Sequence, residues 1–194
     1  MMDTSTPLIL KCISLEGKEP ISEIKKWFAL LQKERGWRAE LRRADVPESL
    51  LLCAGFRALI KPFHGWVMNH EWKWFALAIA AGVAAHVKQI DDSASFASQL
   101  GKPKKGSKNP PLSPMRFSRL NQAHDHDDFY RLMIRAVRQL DGKVNLISMI
   151  DGIFLWCREQ HETTNPVPFE RSPFQRPALR WATEYFQATE MTED

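Results

Sequence analysis

The stretch WFALAIAAGVAAHV, residues 74–87, is the longest apolar run in the chain, and its reading decides the fold. At about 20 apolar residues per membrane crossing it is too short to span a bilayer. It holds no alternation of apolar and polar positions, and it is apolar almost all round. A helix of that kind is buried on every side, so it should be the central helix of a bundle. We place it from a cap at Asn69 to about Lys88. Ala78 and Gly82, four residues apart, present small side chains on one face, where a neighbouring helix can come close.

Outward from this helix the pattern stays helical. Ile21, Ile24, Phe28 and Leu31 recur at helix spacing, with Lys25, Lys26 and Lys33 off that stripe. Gly36 is expected to end or bend this helix, and a short second one carries Arg38 to Arg43. Asp45 and Glu48 have capping-box spacing around Pro47. The helix that follows offers Leu52, Phe56 and Leu59 to the core and is expected to stop at Lys61 and Pro62. A short helix from Ser93 to Leu100 would end at Gly101.

Residues 101–111, GKPKKGSKNPP, hold three prolines, four lysines and no apolar side chain. Such a segment buries too little surface to order itself. We read it as a basic linker between an N-terminal helical domain, residues 1–100, and a C-terminal helical bundle, residues 112–194. In the second half, Ser113 and Pro114 start a helix. Asp125 caps the next, whose buried stripe is Phe129, Met133, Val137 and Leu140 and whose stop is Gly142. Asn145 opens another, with Leu146, Met149, Ile150, Ile153 and Phe154 facing in. A Pro-rich segment, residues 166–177, breaks the pattern before a last helix carrying Leu179, Ala182, Tyr185 and Phe186. No convincing strand and no internal repeat is found. The fold class is all-α, two small helical bundles.

Hydrophobic residues make up 44% of the 194 and charged residues 26%, which suits a globular chain with a real core. The seven tryptophans read as core packing. Cys12, Cys53 and Cys157 have neither metal-knuckle nor redox-pair spacing, and we read all three as reduced core residues of a cytoplasmic protein. The N-terminus lacks the layout of a signal peptide.

The formal net charge is only +4, so local clustering carries more weight than the total. From Ser93 to His124 there is no acidic residue, while Lys102, Lys104, Lys105, Lys108, Arg116 and Arg119 lie within that stretch. The helix that follows carries Arg131, Arg135 and Arg138 on one face, with no carboxylate from Phe129 to Leu140. Arginine binds phosphate bidentately and keeps its charge. Arg38, Arg42 and Arg43, with Arg35, form another cluster, diluted by Glu34 and Glu40. An uncompensated basic run feeding a basic stripe is the footprint of a phosphate-binding surface; a merely solvated face or a solubilising linker is the plainer alternative for the second cluster and for the lysines.

The run from His124 to Asp128, His-Asp-His-Asp-Asp, has the right ligands for zinc or manganese, but adjacent residues rarely converge on one ion. An acidic helix N-terminus explains it without a metal. Glycine-rich phosphate loops, nucleophile elbows and Ser-His or Cys-His spacings are absent. No catalytic residue, metal or cofactor is expected.

The stretches RAELRRA at 38–44 and GFRALIKPF at 55–63 resemble the first half of the CasB family, the small subunit of the type I-E CRISPR Cascade effector. LSPMRFSRL at 112–120, the helix from Phe129 to Leu140 and IDGIFLW at 150–156 look like its second half. The resemblance covers roughly residues 20–160. It implies a non-catalytic, all-helical subunit present as two copies packed head to tail, against the backbone and large subunits of the complex and its CRISPR guide RNA. Its basic surface would hold the target and displaced DNA strands and stabilise the R-loop. Arg42 and Arg43 match the family's early arginine pair, Lys61 the polar residue before its Pro-Phe, and Arg116 the arginine opening the second-half helix. Arg131, Arg135 and Arg138 lie in the helix that the family also makes basic. Beside this reading stand a free-standing helical DNA- or RNA-binding protein and a metal-dependent hydrolase built on His124, His126 and Asp127.

Overall fold

The computed structural model describes residues 9–13, 15, 17–164 and 176–190. Among these it is helical, in line with the sequence reading. A 3-10 turn at Leu10–Cys12 leads into α1 (Pro20–Lys33), α2 (Arg35–Arg43), α3 (Pro47–Leu50), α4 (Ala54–Val67) and α5 (Glu71–Ala84). Strand β1 (Gln89–Ile90) and α6 (Phe96–Gly101) come before the lysine segment. After it follow α7 (Pro114–Asn121), α8 (His126–Gln139), β2 (Lys143–Val144), α9 (Leu146–Thr164) and α10 (Pro177–Glu190). No helix among the described residues is long and apolar enough to cross a membrane.

The central helix is α5. From Ala76 to Val87 every residue is buried, and α3, α4, α8 and α9 pack around it. Gly82 is where the packing is closest: a Cβ there would lie 2.6 Å from the Tyr130 hydroxyl of α8 and 2.9 Å from Leu50 of α3. All seven tryptophans lie in the core or against it. Trp156 of α9 stacks on Phe129 of α8 with ring centroids 3.9 Å apart, and Phe117 of α7 stacks on Tyr185 of α10 at 4.0 Å. The buried apolar residues from both sides of the lysine segment form one cluster.

Two of the expected caps form. The Asp125 carboxylate accepts from the Asp128 N–H at 2.7 Å, and the Asn145 side-chain oxygen accepts from the Ser148 N–H at 3.0 Å. At the far end of α8 the Gly142 N–H donates to the Val137 carbonyl, with Asp141 and Gly142 both at positive φ, so glycine sits where a left-handed stop is needed.

Several expectations are corrected. The break after α1 falls at Glu34, and Gly36 lies inside α2. The N-caps before α3 and α5 are Val46 and His70, not Asp45 and Asn69, and neither makes a side-chain cap. Helix α4 runs straight through Pro62 to Val67. Its stripe of Phe56, Leu59, Phe63 and Val67 is buried throughout, and that packing outweighs the cost of roughly 3 kcal/mol for an interior proline. Leu52 is 76% exposed; Leu50 fills the core position instead, because the chain turns between α3 and α4. Cys12 is exposed, whereas Cys53 and Cys157 are buried.

On α10, Leu179 and Phe186 face solvent, and the buried face is Pro177, Arg180, Trp181, Glu184 and Tyr185. The chain also contains a parallel strand pair, Gln89 with Lys143 and Ile90 with Val144, where none was expected. Most of the Pro-rich segment expected at 166–177 lies outside the described residues.

Candidate nucleic-acid interface

The arginines of α2 do two different things. Arg38 is half-buried and its guanidinium is fully engaged. Nε donates to the Ala85 carbonyl at 2.9 Å, Nη2 to the Val87 carbonyl at 2.7 Å and Nη1 to Gln32 Oε1 at 2.8 Å. These carbonyls follow the last turn of α5, where the helix leaves oxygens without intrahelical partners. Arg38 therefore docks α2 on the end of the central helix. Arg42, one turn on, and Arg43 are exposed.

His86 sits at the same end of α5, 5% exposed, and neither ring nitrogen has a hydrogen-bond partner. Burial, aided by the positive charges of Arg138, Arg42 and Arg38, holds its pKa down to about 4. It is neutral at pH 7 and adds no charge to the surface. The charges of Arg138, in the last turn of α8, and of Arg38 and Arg42 of α2 all act on this one imidazole, a convergence that sequence distance hides.

A second group meets on the other flank of α8. Arg116 and Arg119 of α7 and Arg135 and Gln139 of α8 line a groove of about 340 Å³ together with Leu112, Leu120 and Leu132. Arg119 Nη2 lies 3.8 Å from the Asp128 carboxylate, an exposed pair of little energetic weight. Arg131, on the same stripe, is exposed. Helix α8 thus shows arginines toward α7 at one side and toward the α2–α5 corner at the other, while Phe129, Met133, Ala136 and Val137 are buried beneath them.

The lysines of the 101–111 segment, Lys102, Lys104, Lys105 and Lys108, are all exposed. Lys104 forms an ion pair with Asp141, which lowers the Asp141 carboxyl below its usual range. Lys61, exposed on α4, belongs to a different groove, with Lys18, His64, Leu15, Pro62, Gly65 and Trp66. Lys18 escaped the sequence reading because only the tertiary approach of the N-terminal segment to α4 puts it beside Lys61. Lys88, whose N–H donates to the Gly142 carbonyl at 2.8 Å, escaped it because only the β1–β2 pairing brings it to the end of α8.

In the His124–Asp128 run, Asp125 is spent as a helix cap. His126 packs its ring on Phe75 at 4.8 Å and on Trp156 at 5.4 Å, and burial lowers its pKa. Among the described residues no group of three His, Cys, Asp or Glu gathers with the spacing of a metal site.

Residues 37–186 match a family profile described as CRISPR-associated protein Cse2. The chain belongs to the Cse2 family. The match begins inside α2 and ends inside α10, so Arg38, Arg42, Arg43 and the arginines of α7 and α8 lie within it. Cse2 is the CasB small subunit of type I-E Cascade, as the sequence resemblance implied, and membership makes this chain a Cascade subunit with the Cascade proteins as partners. Cse2 proteins are structural subunits of that complex, generally without catalytic activity. No curated protein and no solved structure matches the chain.

Proposed function

We propose that this Cse2 subunit stabilises the R-loop by holding the target and displaced DNA strands through sequence-independent contacts to their phosphates. The observation that carries the reading is the position of α8. Its exposed stripe, Arg131, Arg135 and Arg138, joins the Arg116 and Arg119 side of α7 to the Arg42 corner of α2, and among the described residues Asp128 is the one carboxylate paired with any of these arginines.

When a guide strand opens a duplex, the new heteroduplex is about as stable as the DNA it replaces, so backbone contacts from protein can tip the balance. Sequence is read by guide pairing. This subunit needs charge at the right place, not base-reading side chains and not a reaction. On this reading it works inside the cytoplasmic effector beside the guide RNA, with a second copy of itself and the backbone and large subunits. The exposed lysines at 102, 104, 105 and 108, and Lys61 on α4, extend the same attraction.

The test is the double substitution Arg131→Glu with Arg135→Glu in the assembled complex, followed by electrophoretic retention of target DNA. Both residues are exposed, so the variant should fold and assemble. Retention is expected to fall, and the dependence of binding on salt to flatten, since each lost phosphate contact removes about one unit of the salt slope. Unchanged retention by a folded, assembled variant would overturn the reading.

A further inference from the structure

We infer that the groove between α7 and α8 receives one unpaired nucleotide of single-stranded DNA, its base over Leu112, Leu120 and Leu132 and its phosphates against Arg116, Arg119 and Arg135. The inference rests on the reading that this face holds opened DNA, and it goes beyond charge to a shape.

A surface that only tracks phosphates needs no concavity and no apolar wall. This groove has both. Its volume of about 340 Å³ lies within the range of small-ligand sites, roughly 300–1,000 Å³. Three leucines, each less than 9% exposed, line it together with the exposed residues Arg116, Arg119, Arg135 and Gln139, so we take the leucines as its floor and the polar side chains as its rim. Three cations around an apolar floor select a ligand that is anionic at its edges and flat and weakly polar at its centre. A nucleotide has that distribution.

Duplex DNA does not offer it, because its bases are stacked and paired and only the backbone faces out. An unstacked strand does, and the guanidinium planes can add stacking of their own to the apolar contact. In an R-loop the displaced strand is the DNA that is single-stranded and free of a partner, which commits the occupant to DNA. Gln139, exposed at the rim, can donate to or accept from any base edge and so gives no fixed sequence preference.

The experiment compares two fluorescent strands of equal length on the full-length chain, one of thymine nucleotides and one of abasic units. Both carry the same phosphates, so charge alone binds them equally. The expected result is about fivefold tighter binding of the thymine strand, the scale for shielding part of one base face from water. That ratio should hold between about 50 and 200 mM salt while both affinities fall. Arg116→Ala with Arg135→Ala, two exposed positions whose phosphate contacts and stacking planes seat the base over the leucines, should bring the ratio to about one.

Equal binding of the two strands by the wild-type chain overturns the inference and leaves the charge-only reading standing. A ratio that survives the double substitution places the base elsewhere and overturns it too. So does tighter binding of a uridine RNA strand of the same length, which would make RNA the occupant. Failure to bind either DNA strand also overturns it, and the retention experiment on the assembled complex then judges the broader reading independently.

Discussion

Arg180 Nη1 donates to Asp151 Oδ2 at 2.9 Å, joining α10 to α9 through two side chains that are 5% and 0% exposed. Arg180 Nε reaches Glu184 at 3.0 Å, and Glu184 accepts from the Ser95 hydroxyl at 2.6 Å. The other Asp151 oxygen accepts the Ile9 and Leu10 N–H groups at 2.9 and 3.1 Å. One buried cation therefore ties together the N-terminal turn, the start of α6, α9 and α10. Burial pushes the Glu184 carboxyl upward against the pull of Ser95 and Arg180.

Removing that cation takes the opposite charge away from two buried carboxyl groups, which keep only their neutral donors among the bonds described above. Arg180→Leu is expected to lower unfolding stability by about 3–5 kcal/mol, measured by urea denaturation. Arg180→Lys keeps the charge but loses the fork that bridges two acceptors, and should fall between the variant and wild type. A loss below about 1 kcal/mol for the leucine variant would show that the network is not what holds α10 in place.

Gly152, on α9, lies flat against the Trp181 ring of α10. An added Cβ would come within 2.8 Å of Trp181 Cε2 and Nε1 and closer still to Cζ2. Gly152→Ala should therefore destabilise by about 1–3 kcal/mol despite alanine's better helix propensity. A thermal melt above that of wild type would sink this account.

Arg38 and Arg42 lie one turn apart and should separate cleanly by experiment. Arg38→Ala strips hydrogen bonds from two carbonyls at the end of α5 and should cost about 1–3 kcal/mol of stability. Arg42→Ala should change stability by no more than about 0.5 kcal/mol. If nucleic-acid affinity is then measured on the folded variants, Arg42→Ala should flatten the salt dependence.

His86 makes stability depend on pH. Its folded pKa, about 4, lies below the ordinary 6.5, so the unfolded chain binds the extra proton. Stability from this residue is present above pH 6.5 and is lost as the pH falls toward 4. His86→Phe, which fills the same space without a titrating group, should reduce the loss of stability between pH 6.5 and 4.5 relative to wild type. Parallel curves for the two proteins would refute the assignment.

Helix α5 and the buried stripes of α8 and α9 were legible because apolar periodicity follows directly from which face meets the core. The caps at Asp125 and Asn145 were legible because capping is local chemistry. Pro62 misled because a local penalty was weighed without the packing of Phe56, Leu59, Phe63 and Val67 that overrides it. Arg180 and Glu184 were invisible as core residues, since a charged residue reads as surface until its buried partner is known. Arg38 read as part of a phosphate-facing cluster; its actual partners are carbonyls 47 and 49 residues away, which no local pattern announces. The β1–β2 pair is two residues a side and carries no alternation to detect. In the candidate interface the arginine stripe of α8 was legible, whereas its two sets of neighbours on α2 and α7 came only from the fold.

The Leu112 N–H donates to the Leu100 carbonyl at 3.2 Å, so the lysine-bearing residues between them leave and re-enter the molecule at one place. A loop closed at its base by a hydrogen bond is free to change length: doubling it adds only about 0.6 kcal/mol of closure entropy. The positive charge carried there can therefore be increased, trimmed or replaced by insertion and deletion while the helices on either side keep their register. This makes 103–110 the natural place to graft a reporter or to adjust the pull on a passing strand without re-engineering the core, whereas Gly101 belongs to α6 and packs on α10.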